Sequence, residues 1–143
     1  MDCFDGMAQI DDKSIDMILC DLPYGTTRNR WDILLPFEKL WKEYERIIKD
    51  NGCIALFSAQ PFTTDLINSN RKLFRYDLIW DKVLSSGFLN SHKMPLRRHE
   101  IICIFYKSPP KYNPIMEIRG KPREKGRKFD SIQNGNTCYG SYK

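Results

Sequence analysis

The chain has 143 residues, 41% of them hydrophobic and 29% charged, enough for one domain with a real core. Its apolar runs are too short to cross a membrane, and Asp2, Asp5, Asp11 and Asp12 argue against a signal peptide. The net charge is +5 with a pI near 9.0. The excess is local: between Lys107 and Asp130 eight Lys or Arg face three acids, a composition that suits either a polyanion backbone or a solvated arm.

In chain order, the first element is a short polar helix near residues 3–10. The run Ile15-Asp16-Met17-Ile18-Leu19-Cys20 reads as a buried strand, and Asp21-Leu22-Pro23-Tyr24-Gly25 follows where it ends. Ligands of open α/β sheets bind at the carboxyl ends of strands. A carboxylate, a peptide carbonyl and a flat phenol ring there suit a planar ligand with an amino group, such as a nucleobase. Residues 26–35 read as a loop carrying Arg28, Arg30 and an anchoring Trp31. Phe37, Leu40, Trp41, Tyr44, Ile47 and Ile48 recur at helical spacing, with Asn51-Gly52 as the stop.

Cys53 to Phe57 is the second strand, and Gln60-Pro61-Phe62 opens a second helix reaching about Asn70. Phe74 to Trp80 is a third strand, with Trp80 in the core and Lys82 near its end. Residues 83–99 read as a long loop with Lys93, Arg97 and Arg98 as cationic candidates, and Ile101 to Tyr106 is the fourth strand. This order is that of a wound α/β sheet. Five cysteines without a CxxC spacing, and two histidines without ligand partners, indicate reduced thiols, no metal and a cytoplasmic setting. Phosphate loops of the GxxxxGK[ST] and GxGxxG types are absent.

Asp21-Leu22-Pro23-Tyr24 resembles the [DNS]-P-P-[YFW] motif of amino-group DNA methyltransferases. Four further segments resemble the same family in the same order: Asp2-Cys3 with Ser14 to Cys20, Ile47 to Gly52, Ile79 to Lys82, and His99 to Ile102. The Asp-Leu-Pro-Tyr-Gly-Thr-Thr version looks like a phage or prophage adenine-methyltransferase branch. Leu22 departs from the usual first proline. The family's D-x-F-x-G-S-G segment, which binds S-adenosylmethionine (AdoMet), has no counterpart before Lys143.

The resemblance implies a Rossmann-like AdoMet-dependent methyltransferase, a three-layer α/β sandwich present as its target-base half. A partial catalytic domain would span 1–114, and 115–143 would form a basic Pro/Gly-rich arm or the start of a target-recognition region. The implied activity is methylation of an exocyclic amino group, adenine N6, on a base flipped out of double-stranded DNA. Asp21, Pro23 and Tyr24 would be catalytic; Asp2, Cys3 and Asp21 would meet AdoMet. Arg28, Arg30, Lys82, Lys93, Arg97 and Arg98 would contact DNA. Alternatives are methylation of cytosine N4 or RNA, and a non-catalytic DNA-binding remnant of a methyltransferase.

Overall fold

The structure, a computed structural model, describes residues 2–116. The chain divides into two compact units, Met1–Tyr112 and Asn113–Lys143. Within the first, α1 (Cys3–Met7) leads to β1 (Ile15–Asp21), α2 (Phe37–Ile47), β2 (Ile48–Ser58), α3 (Phe62–Ser69), β3 (Phe74–Ser86), a 3-10 turn (Phe88–Asn90) and β4 (Arg97–Phe105). The strands form one sheet in the order β1-β2-β4-β3. β1 and β2 are parallel, joined through α2, while β4 runs antiparallel to both β2 and β3. β1, β2 and β3 therefore end at the same pole, and the Asp21 motif belongs to it.

The core lies between the helices and one face of the sheet. Leu40, Trp41, Phe62 and Leu66 pack on Ile54, Leu56, Cys103 and Phe105. The Trp41 indole N–H donates to Ser69 Oγ at 2.7 Å, tying α2 to α3. Arg46 donates to the carbonyls of Met7 and Ile10, both at 2.8 Å, and so straps the segment after α1 onto α2. In-register partners share a face of a sheet. The opposite face therefore carries Met17, Leu19, Phe57, Ile102, Leu78 and Trp80, and no described helix packs on it.

Three sequence expectations need correction. The helix of residues 37–48 does not run to Asn51-Gly52: the chain turns extended at Ile48, and Asn51-Gly52 lies inside β2. Gly52 is required there, because a Cβ would come within 2.7 Å of Ile48 and 3.0 Å of the Asp16 carbonyl. Residues 83–99 are not a plain loop. β3 continues to Ser86 and β4 begins at Arg97, forming an extended ribbon. Trp80 is 52% exposed, against Phe57 on the uncovered face rather than in the core. The thiol of Cys103 is buried, whereas those of Cys20 and Cys53 are half-buried, and burial pushes all three thiols up. Cys138 and the basic stretch past residue 116 lie outside the described residues.

Candidate active site

β1 delivers Asp21 to the pole in register with Phe57. The Asp21 carboxylate is exposed, and the Tyr24 hydroxyl donates to its Oδ1 at 2.6 Å. The Tyr24 ring stacks on Phe62 with centroids 4.9 Å apart and an interplanar angle of 27°. Phe62 is in turn buried beside Phe37, so the phenol rests on a fixed aromatic floor. Burial and the bond to Asp21 push the Tyr24 phenol well above its ordinary value, so it remains a donor. Leu22, the departure from the family pattern, is buried in the core. Its alkyl side chain anchors the motif from beneath and leaves Asp21, Pro23 and Tyr24 outside.

The loop after the motif is fastened by Asp32, which is only 8% exposed. Its Oδ1 accepts the Gly25 N–H and its Oδ2 the Thr27 N–H, each at 2.7 Å. A hydrogen bond from the Thr27 side chain, joined by these backbone bonds, holds the carboxyl below its ordinary range. Gly25 has φ +66°, the left-handed region that favours glycine, and a Cβ there would meet Leu34 at 2.9 Å. Sequence reasoning missed Asp32; its signal was a lone acid seven residues past a motif glycine. The expected anchor, Trp31, is instead 72% exposed. A cleft of about 120 Å³ is lined by Asp21, Pro23, Tyr24, Thr27, Trp31 and Asp32, among others.

A second cavity, about 490 Å³, opens beside the free edge of β1. Cys3, Met7, Asp21, Pro23, Leu35 and Tyr44 are among its lining residues, which include no Lys, Arg or His. Cys3 and Asp21 thus meet at one cavity, whereas Asp2 caps α1 through a 2.8 Å bond from the Phe4 N–H. This lining fits the apolar parts of a cofactor and offers no cation to a charged tail.

The cationic candidates fall into two groups. Arg28, Arg30 and Lys93 are exposed, with no ion pair among the described residues, and Arg97 donates only to the Gln60 carbonyl at 3.4 Å. Lys82 is tied to Glu100 at 2.7 Å and Arg98 to Asp81 at 2.9 Å. Among the described residues no His, Cys, Asp or Glu cluster is placed to hold a metal, and no helix is long and apolar enough to cross a membrane.

The profile of the N6/N4 DNA methylase family matches residues 15–142. The chain belongs to that family. The Type II methyltransferase M1.MboII of Moraxella bovis is 29% identical over 119 residues, covering 76% of this chain and 45% of the relative. Two solved structures share the fold. M1.HpyAVI in complex with SAM has a TM-score of 0.57 at 17% identity, over 81% of this chain and 56% of that one. The PvuII cytosine-N4-specific DNA methyltransferase has a TM-score of 0.55 at 14% identity, over 78% and 49%. The chain spans about half the length of the relatives it matches. The family is AdoMet-dependent, and the sheet is its Rossmann-like α/β fold in part.

Proposed function

We propose that this chain carries the target-base half of an AdoMet-dependent DNA methyltransferase acting on an exocyclic amino group, adenine N6. One observation carries the reading: at the end of β1 an exposed carboxylate is hydrogen-bonded to a phenol that is stacked on the core, and both line one cleft with Pro23. An exocyclic amino nitrogen is a poor nucleophile because its lone pair is delocalised into the ring. Asp21 Oδ2 and the Pro23 carbonyl would accept its two N–H bonds, leaving the lone pair free to point at an incoming methyl group. The carboxylate would also stabilise the positive charge that develops on nitrogen. The base leaves the duplex to reach this cleft, and the Tyr24 ring offers it a stacking surface. AdoMet, when bound, supplies the methyl sulfonium.

Adenine is favoured by the acid at the first motif position, whereas the fold is shared with a cytosine-specific enzyme. The partner is double-stranded DNA, with Arg28, Arg30, Lys93 and Arg97 as phosphate contacts. Lys82 and Arg98 are paired with Glu100 and Asp81, which offsets their charge. Residues 1–114 form a partial catalytic domain, and the basic stretch after it adds sequence-independent attraction to DNA. Methyl transfer from labelled AdoMet, measured in the polypeptide that carries this segment with the DNA digested to nucleosides, tests the reading. Label should appear in N6-methyl-2′-deoxyadenosine, and Asp21→Ala should remove it while leaving duplex affinity within about twofold. Turnover unchanged in Asp21→Ala would remove the carboxylate from the mechanism, and label in cytosine would redirect the specificity.

A further inference from the structure

The β3–β4 ribbon rises beyond the pole where Asp21 sits. Asp21, Phe57, Ile102 and Leu78 form one row across the sheet. Three strand spacings separate its ends, roughly 14 Å. β4 begins at Arg97, five residues outward from Ile102, so the ribbon extends roughly 17 Å past the row at about 3.3 Å per residue. Between the pairs Asp81–His99 and Ser86–Arg97, β3 carries extra residues. This irregularity bends the ribbon, and Val83 takes φ +65° within it. At the tip, Gly87 has φ +81° with nothing within 4 Å of where a Cβ would lie. The turn after it presents Phe88 and Leu89 to solvent, 73% and 83% exposed.

An uncovered apolar tip needs a partner. Residues 83–99 contain no acid, and Lys93 and Arg97 supply positive charges with no ion pair among the described residues, whereas Arg98 is paired with Asp81. That balance matches a polyanion. The DNA major groove admits a two-stranded β-ribbon, and proteins that distort DNA push Phe or Leu between base steps. We propose that the β3–β4 ribbon is a DNA-docking element whose Phe88 and Leu89 enter the base stack at the space a flipped base vacates. Lys93 and Arg97 hold the flanking phosphates. The inference rests on duplex DNA being the partner, as above, and assigns the chain's second contact with it.

A duplex with one abasic site already offers the empty space, so it should bind the 143-residue chain roughly tenfold more tightly than the matched duplex, the worth of one aromatic–base stack. Fluorescence anisotropy measures both. The double variant Phe88→Ala/Leu89→Ala should lose that preference while its salt dependence stays unchanged. Because both side chains lie in solvent, the fold should survive, which circular dichroism checks. Lys93→Ala/Arg97→Ala should weaken both duplexes equally and flatten the slope of log K against log salt by about 0.9 per lost phosphate contact. Asp21→Ala should keep the abasic preference, which separates this inference from the catalytic reading. A wild-type chain that binds both duplexes alike, or neither, overturns the proposal. So does a preference that survives the double variant. Loss of self-association in that variant, with DNA binding unchanged, would assign the tip to protein contact and overturn it as well.

Discussion

Tyr24 does two physical jobs with one side chain. Its ring lies on Phe62, and its hydroxyl fixes one oxygen of Asp21. The motif that Asp21-Leu22-Pro23-Tyr24 resembles takes Tyr, Phe or Trp at its last position, so the aromatic face is common to all three and the hydroxyl is particular to Tyr. A carboxylate held at Oδ1 presents Oδ2 in a defined direction, and in the proposed reaction that orientation would be a transition-state asset rather than a binding one. Tyr24→Phe keeps the stack and frees the carboxylate to rotate. The expected result is a loss of about 1.5 kcal/mol, roughly tenfold in kcat, with KM little changed. Tyr24→Ala should raise KM as well, because the stacking face goes too. Steady-state methyl-transfer kinetics separate the two, and an unchanged kcat in Tyr24→Phe would show that the hydroxyl does not position Asp21.

At the scale of elements, the sequence exposed whatever had a period or a motif. The β1 strand and the amphipathic face of α2 were legible from residue spacing, and Asp21 with Tyr24 at the end of β1 from the motif. The end of α2 was not, because Asn51-Gly52 reads locally as a helix stop. Pairing of β2 with β1 at Ile48 and again from Cys53, on either side of a register shift, overrides that local signal. The ribbon was missed because residues 83–96 show no clean alternation; it is defined by the pairs Asp81–His99 and Ser86–Arg97 on either side of an irregularity. The loop 25–32 was legible only as a loop, since its organising contact spans from Asp32 back to Gly25 and Thr27. In Asp32→Asn one carboxylate oxygen becomes an NH₂ that faces a backbone N–H, so one of the two clamps must open. The Gly25 and Thr27 amides should then exchange roughly tenfold faster in hydrogen-exchange measurements, while α2 and β2 stay protected. The pH dependence has a definite sign. A carboxyl held below its ordinary range stabilises the loop above that range, and the contribution fades as acidification protonates it. Wild-type protection of these two amides, corrected for intrinsic exchange, should therefore fall on the acid side of the aspartate range. In the Asn variant it should be flat with pH. Equal protection in both proteins at neutral pH would show that the loop is held by something else.

At the scale of the molecule, the described helices cover one face of the sheet only. Sheets built on parallel strands are ordinarily covered on both faces. Here Met17, Leu19, Leu78 and Trp80 leave an apolar surface opposite the helices, and the matched relatives are about twice as long as this chain. The cavity at the free edge of β1 shows the same one-sidedness. Its lining through Met7, Leu35, Leu40 and Tyr44 can shelter a ring or a thioether. The methionyl end of AdoMet carries a carboxylate and an ammonium, and stripping them of water without partners costs more than apolar contact returns. Asp21 is the one carboxylate on the lining, and no cation stands opposite it. Titration calorimetry of the 143-residue chain with AdoMet should accordingly give a dissociation constant of roughly millimolar or weaker. Cys3→Ala should change it little, because an exposed thiol supplies neither charge nor a strong hydrogen bond. A micromolar constant for the isolated chain would mean that groups beyond those lining this cavity complete the cofactor site. The reading of this chain as the target-base half would then be wrong.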